Sequence, residues 1–191
     1  MSKLYLAIIG HTGAGKESCY IAAKEAFVGK LTVSIHHFSD LLNEILNLLC
    51  LEKLRPNQQL LSTVLRQAFG ENLLGNVMFK RVMTDAADIV FLDGVRRPKD
   101  VEMLKQLPNS FLGSVYAPPE IAWVRLRRRA DRSGDSEKTW EDFQKEQMAE
   151  SESLIDALLP LADFKLDNSL DDPEFKFLRD QISDLISEFL G

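Results

Sequence analysis

Residues 10 to 16, Gly10-His11-Thr12-Gly13-Ala14-Gly15-Lys16, fit the pattern G-x-x-x-x-G-K, whose chemistry is the holding of a polyphosphate. Successive backbone N–H groups in such a turn, together with the helix N-terminus that follows, wrap phosphate oxygens. Gly13 and Gly15 let the backbone approach the ligand, and Lys16 supplies a point charge for the β- and γ-phosphates. The expected set for a nucleotide is therefore Gly10, Gly13, Ala14, Gly15, Lys16, Glu17 and Ser18. One departure stands out. Glu17 occupies the position directly after the lysine, where a magnesium-binding hydroxyl is usual, and the hydroxyl arrives one residue later at Ser18. Glu17 could hold magnesium, directly or through water, or could weaken binding of an anionic nucleotide.

A second group is Asp93-Gly94-Val95-Arg96-Arg97, which follows an apolar run. An acid at the end of a strand beside the glycine turn suits a magnesium ion in phosphoryl transfer, and Arg96 and Arg97 can each grip a phosphate through a planar fork. The third is Arg125-Leu126-Arg127-Arg128-Arg129, with Arg132 close behind. On a helix Arg125 and Arg129 share a face, and like charges there repel unless an anion lies between them. Arg127 and Arg128 need no more than favourable charge at a helix C-terminus. Residues 130–138 are polar and short, and are expected to form a lid that excludes water.

Apolar runs alternate with helical patterns along the whole chain, which points to a parallel sheet covered on both faces. Strands are expected at Leu4–Ile9, Leu31–Ile35, Asp88–Leu92, Phe111–Tyr116 and Asp163–Asp167. Helices are expected after Lys16, after an N-cap at Ser39, from Pro56 to a stop at Gly70, over 71–87, from Pro98, from Pro118-Pro119, after an N-cap at Thr139, and from about Asp172-Pro173. The last should bury Leu178, Ile182, Leu185, Ile186 and Phe189.

The 191 residues suit one domain, 1–191, and the mix of 45% hydrophobic and 27% charged residues is that of a soluble globular protein. A net charge of −6 speaks against a nucleic-acid polymer as partner. Two cysteines without metal spacing suggest reduced thiols, and the absence of a leader or membrane-length apolar run makes a cytoplasmic place the expectation.

In order along the chain, a G-K-x-[ST] loop, a D-G-x-R turn after the third strand, an R-L-x-x-R helix before a short lid, and a late strand running into Asn168 resemble the P-loop nucleotide kinases. That group includes adenylate kinase, dephospho-coenzyme A kinase and deoxynucleoside monophosphate kinases. Leu92–Pro98 and Lys138–Phe143 look most like bacterial and archaeal kinase-like members. The resemblance implies a three-layer α/β/α sandwich on a five-stranded, mainly parallel sheet, with ATP and Mg2+ as cofactors. It implies Arg125 against the base, Arg129 and Arg132 on the donor phosphates, Arg96 on the acceptor phosphate, Asp93 beside the metal with Ser18 and Glu17, and Asn168 lining the adenine pocket.

The acceptor region is expected at about 36–87, with His36, Asp40, Arg55, Arg66, Arg96 and Arg97 as its substrate-binding residues. Lys16, Asp93, Arg96 and Arg129 form the expected catalytic set. The expected activity is transfer of the ATP γ-phosphoryl group to a small-molecule acceptor, a nucleoside or deoxynucleoside monophosphate. A hydroxyl acceptor, as in dephospho-coenzyme A kinase, would call for a base such as Asp40. A non-catalytic nucleotide-binding module is the rival from another class, with Glu17 in its favour. Asn168 and Asp171 faintly match a guanine motif, but the lysine expected after the asparagine is missing.

Overall fold

The computed structural model of the chain describes residues 3–129, 139–148, 150–170, 172, 174 and 176–190. The expected lid 130–138, Arg132 within it, Asp171 and the Arg129 side chain lie outside the described residues. The elements run β1 (Leu4–Ile9), α1 (Lys16–Ala26), β2 (Val33–His37), α2 (Phe38–Leu48), α3 (Arg55–Phe69), α4 (Leu73–Met83), β3 (Ile89–Asp93) and α5 (Pro98–Leu104). They continue through β4 (Ser110–Tyr116), α6 (Pro119–Arg129), α7 (Trp140–Gln147), α8 (Glu150–Leu158), β5 (Phe164–Asp167) and α9 (Lys176–Leu190).

The strands form one sheet in the order β2-β3-β1-β4-β5, and every pairing is parallel. β1 lies at its centre and all six of its residues are buried, which explains a strand without polar alternation. Successive side chains serve opposite faces. Tyr5, Ala7, Ile9, Val90 and Leu92 meet Leu41, Leu42, Leu74, Met78, Val101 and Leu104 from α2, α4 and α5. Leu4, Leu6, Ile8, Ile89 and Phe91 meet Cys19, Ala22 and Ala23 of α1 and Leu178, Ile182 and Ile186 of α9. Fully burying one such aliphatic side chain is worth about 1.5–3 kcal/mol, so both faces of the central strands contribute to holding the layers together. The result is the expected three-layer sandwich.

Several boundaries differ from the sequence expectation, for local reasons. β2 occupies 33–37 rather than 31–35, because the Asp88 carboxylate takes both the N–H (2.8 Å) and the hydroxyl (2.7 Å) of Thr32 before the ladder begins. The N-cap of α2 is His37, not Ser39; Asp40 Oδ2 accepts from the His37 N–H at 3.3 Å. α4 covers 73–83 of the expected 71–87. Thr84 turns its hydroxyl onto the Arg81 carbonyl (2.9 Å), and Asp85 Oδ1 accepts from Ala87 N–H (2.6 Å). Thr139 caps α7 as expected, its hydroxyl accepting from Asp142 N–H at 3.1 Å. Leu185 and Phe189 are only partly buried; Phe189 stacks on Phe111 with centroids 3.7 Å apart.

Candidate functional site

Gly10 to Gly15 join the central strand to α1. Gly13 has φ +83°, and a Cβ there would stand 2.7 Å from the Ala122 carbonyl oxygen of α6. Gly15, the N-cap of α1, has φ +100°, and a Cβ there would lie 2.1 Å from Asn168 Nδ2. Both positions therefore exclude a side chain on conformation and on space. Ala14 is buried, and its carbonyl accepts from the buried Asn168 amide at 2.9 Å. Lys16 folds back over the loop, its Nζ 2.7 Å from the Gly10 oxygen and 3.1 Å from the His11 oxygen. Ser18 is half-buried in the first turn of α1, while Glu17 is exposed.

Other elements brace the loop. Arg125 donates to the carbonyls of Asn168 (2.9 Å) and Leu170. The residues expected around the base thus form a tie from α6 to the segment after β5 and on to the loop. On another side Gln147 Nε2 donates to the Thr12 oxygen at 3.3 Å, and His11 Nε2 lies 3.0 Å from Asp156 Oδ1 of α8. Neither Gln147 nor Asp156 stood out in the sequence, and no motif marks them.

Across the sheet edge, the parallel register sets His37 opposite Asp93. His37 Nδ1 and Asp93 Oδ2 are 3.0 Å apart. Burial pushes the Asp93 carboxyl up, but the His37 hydrogen bond and the charges of Lys16, His37 and Arg96 outweigh it and hold Asp93 below the usual carboxylate range. His37 is raised by its bond to Asp93, against partial burial, with the charges of Asp93, Asp40 and Glu17 adding to the rise. Lys16, Arg96 and His37 thus act on Asp93, and Asp93, Asp40 and Glu17 on His37, around one pair at the sheet edge. Arg96 is half-buried, and its guanidinium has no hydrogen-bond or ion-pair partner among the described residues.

The remaining expected substrate residues are distributed differently. Strand alternation sends His36 to Asp85 Oδ2 at 2.6 Å, so His37 rather than His36 meets Asp93. Arg97 pairs with Glu71 at 3.1 Å. Arg55 is exposed at the start of α3. Arg66 is buried rather than open to a cleft, and its guanidinium donates to Asp100 Oδ1 at 3.0 Å and to the Glu71 carbonyl. Asp40, Asn43, Glu44 and Asn47 of α2, with Lys53, line an open groove of about 360 Å³ that starts beside His37. Their i, i+3, i+4, i+7 spacing on α2 was the available sequence signal.

No group of three or more His, Cys, Asp or Glu side chains among the described residues is gathered closely enough to cage a metal ion. Magnesium is a hard cation that keeps several waters and leans on one or two carboxylates plus substrate phosphates. The Asp93 carboxylate, held below its usual range, the half-buried Ser18 hydroxyl and the exposed Glu17 carboxylate are donors of that kind.

No family model matches the chain. It is 26% identical over 174 residues to the UPF0200 protein of Hyperthermus butylicus, covering 91% of this chain and 90% of that one. It is also 26% identical over 182 residues to a UPF0200 protein of Pyrococcus abyssi, covering 93% and 92%. Among solved structures, shikimate kinase from Bacteroides thetaiotaomicron superposes with a TM-score of 0.59 at 15% identity, covering 98% of each chain. Shikimate kinase from Acinetobacter baumannii in complex with shikimate gives 0.53 at 14% identity, covering 98% of this chain and 93% of that one. The chain therefore has the α/β fold of the P-loop kinases, in the variety that shikimate kinases share.

Proposed function

We propose that the chain is an ATP- and magnesium-dependent phosphotransferase that moves the γ-phosphoryl group onto a nucleoside or deoxynucleoside monophosphate. The observation that supports it most is the edge where the charges of Lys16 and Arg96 both act on Asp93, with the Arg96 guanidinium in no hydrogen bond or ion pair among the described residues. The fold shared with shikimate kinases and the phosphate-binding loop point the same way. In this reading the loop amides and Lys16 hold the donor phosphates, Arg125 stands by the base, and Arg129 and Arg132 close on the phosphates. Arg96 grips the acceptor phosphate, and residues 36–87 hold the rest of the acceptor. Asp93, with Ser18 and Glu17, would hold magnesium, whose charge offsets that of the phosphates as transfer proceeds. Catalysis is then positioning and charge neutralisation. The whole of 1–191 acts as one unit, in the cytoplasm; among the described residues no helix is long and apolar enough to cross a membrane.

A second reading is transfer to a hydroxyl, as in dephospho-coenzyme A kinase. The His37–Asp93 pair and the neighbouring Asp40 favour it, since a carboxylate or imidazole within reach of a hydroxyl can take its proton. Labelled ATP offered with nucleoside monophosphates, deoxynucleoside monophosphates and coenzyme A precursors separates the two. Label on a monophosphate supports the first, label on a dephospho-coenzyme supports the second. ATP binding without transfer to any acceptor leaves the nucleotide-binding module and refutes both.

A further inference from the structure

Arg66 and Asp100 lie 34 residues apart and are sealed from solvent, their side chains 4% and 2% exposed. Burying such a pair yields little net stability, and an apolar pair of the same shape usually does as well or better. This pair is poorer than most, because Arg66 Nε is buried with no acceptor among the described residues. Stability alone therefore does not explain it.

The other half of Asp100 does. Its Oδ2 accepts from the backbone N–H groups of Arg96 (3.3 Å) and Arg97 (3.2 Å). Arg66 fixes the rotation of the Asp100 carboxylate, and the carboxylate fixes the backbone from which the Arg96 guanidinium projects. The ring closes on its far side. Arg97 pairs with the Glu71 carboxylate, and the Glu71 carbonyl accepts from Arg66. The end of α3 and the turn after β3 are thus joined by polar contacts that an apolar pair could not supply.

We infer that Arg66 and Asp100 are positioning residues for the acceptor: they lock the Asp93–Arg97 turn to the acceptor-side helix α3, and Arg66 acts on acceptor binding through Arg96. The inference rests on the proposed role of Arg96 at the acceptor phosphate.

The test measures calorimetric binding of AMP, CMP, GMP and UMP, each alone, and of ATP separately, by the full chain. Arg66→Met should weaken the monophosphate that binds best about tenfold and leave ATP affinity unchanged, and it should lower the melting temperature because the Asp100 carboxylate stays buried without its cation. In an Arg96→Ala background the same change should cost nothing further, because the route through Arg96 is already cut. Arg66→Lys should recover part of the loss. A full tenfold loss on top of Arg96→Ala, or equal losses for ATP and monophosphate, overturns the inference. Should Arg66→Met fail to fold, Arg66→Lys and Asp100→Asn carry the same comparison. If the parent binds no monophosphate, the proposed acceptor is wrong, and amide exchange over residues 93–100 decides the tie itself. Exchange at least tenfold faster in Asp100→Asn and Arg66→Lys upholds it; unchanged exchange overturns it.

Discussion

Gly15→Ala carries a cost that can be worked from the geometry in two parts. At φ +100° a non-glycine residue loses about 1–2 kcal/mol to steric strain. The new Cβ, 2.1 Å from Asn168 Nδ2, also displaces that amide and breaks its 2.9 Å bond to the Ala14 carbonyl. Leaving a buried carbonyl unmet adds about 1–3 kcal/mol. The sum, about 2–5 kcal/mol, should appear in urea denaturation followed through Trp123 and Trp140, the chain's two tryptophans, and as a large loss of ATP affinity by calorimetry. Asn168→Ala alone should cost about 1–3 kcal/mol. Combining the two gives the decisive figure. Once the Asn168 side chain is gone, Gly15→Ala should add only the backbone strain, so the double variant should be about 1–3 kcal/mol better than the sum of the singles. Strictly additive costs would refute the tie between Asn168 and the loop.

Lys16→Ala should weaken ATP binding about ten- to a hundredfold, the loss of a charge-assisted bond worth about 1.5–3 kcal/mol, and leave the melting temperature in place; unchanged calorimetry would remove Lys16 from the site. The His37–Asp93 pair should make stability depend on pH. The raised His37 contributes fully below its unfolded value of about 6.5 and is lost as pH rises through the folded one, while the lowered Asp93 contributes above about 3.8 and is lost as pH falls. The stability gap between the parent and His37→Asn should therefore be widest between about pH 4 and 6.5 and narrow on the alkaline side; equal gaps at pH 5 and pH 9 would refute the pairing. Glu17 is exposed in the first turn of α1 and is one of the proposed magnesium donors, so Glu17→Gln should weaken the dependence on magnesium and lower turnover. Tighter ATP binding with unchanged magnesium dependence would make Glu17 a repelling charge instead.

The sequence foretold the layers well because strands buried on both faces are written as short continuous apolar runs, and the helices between them as 3.6-period stripes. It foretold the glycine loop because strand, turn and helix are contiguous there. It misplaced β2 by two residues, since Leu31 and Thr32 look more strand-like than His36 and His37; the Asp88 carboxylate that ends the ladder at Thr32 is 56 residues away. Arg66 reads as a cation on an amphipathic helix, and nothing local says that Asp100 will bury it. Only Pro98 marks the start of α5 in the sequence expectation; the capping carboxylate of Asp100, three residues into the helix, is absent from it. The second oxygen's partner was invisible. Of the two adjacent histidines the sequence expectation names His36, whereas strand register sets His37 against Asp93.

The bond from Asn168 to Ala14 spans 154 positions of the chain. A single neutral hydrogen bond, worth about 0.5–1.5 kcal/mol net, is too weak to close so long a loop by itself. Pairing of β4 with β5 has to bring Asn168 into place first, so the glycine loop acquires its tether only when the far edge of the sheet is laid down. A partly folded chain with β1 and α1 already formed would carry the right residues in a loop that is not yet held. A ligand that prefers the tethered loop would bind the finished fold and not its precursors, and its occupancy would count completed molecules rather than available loops.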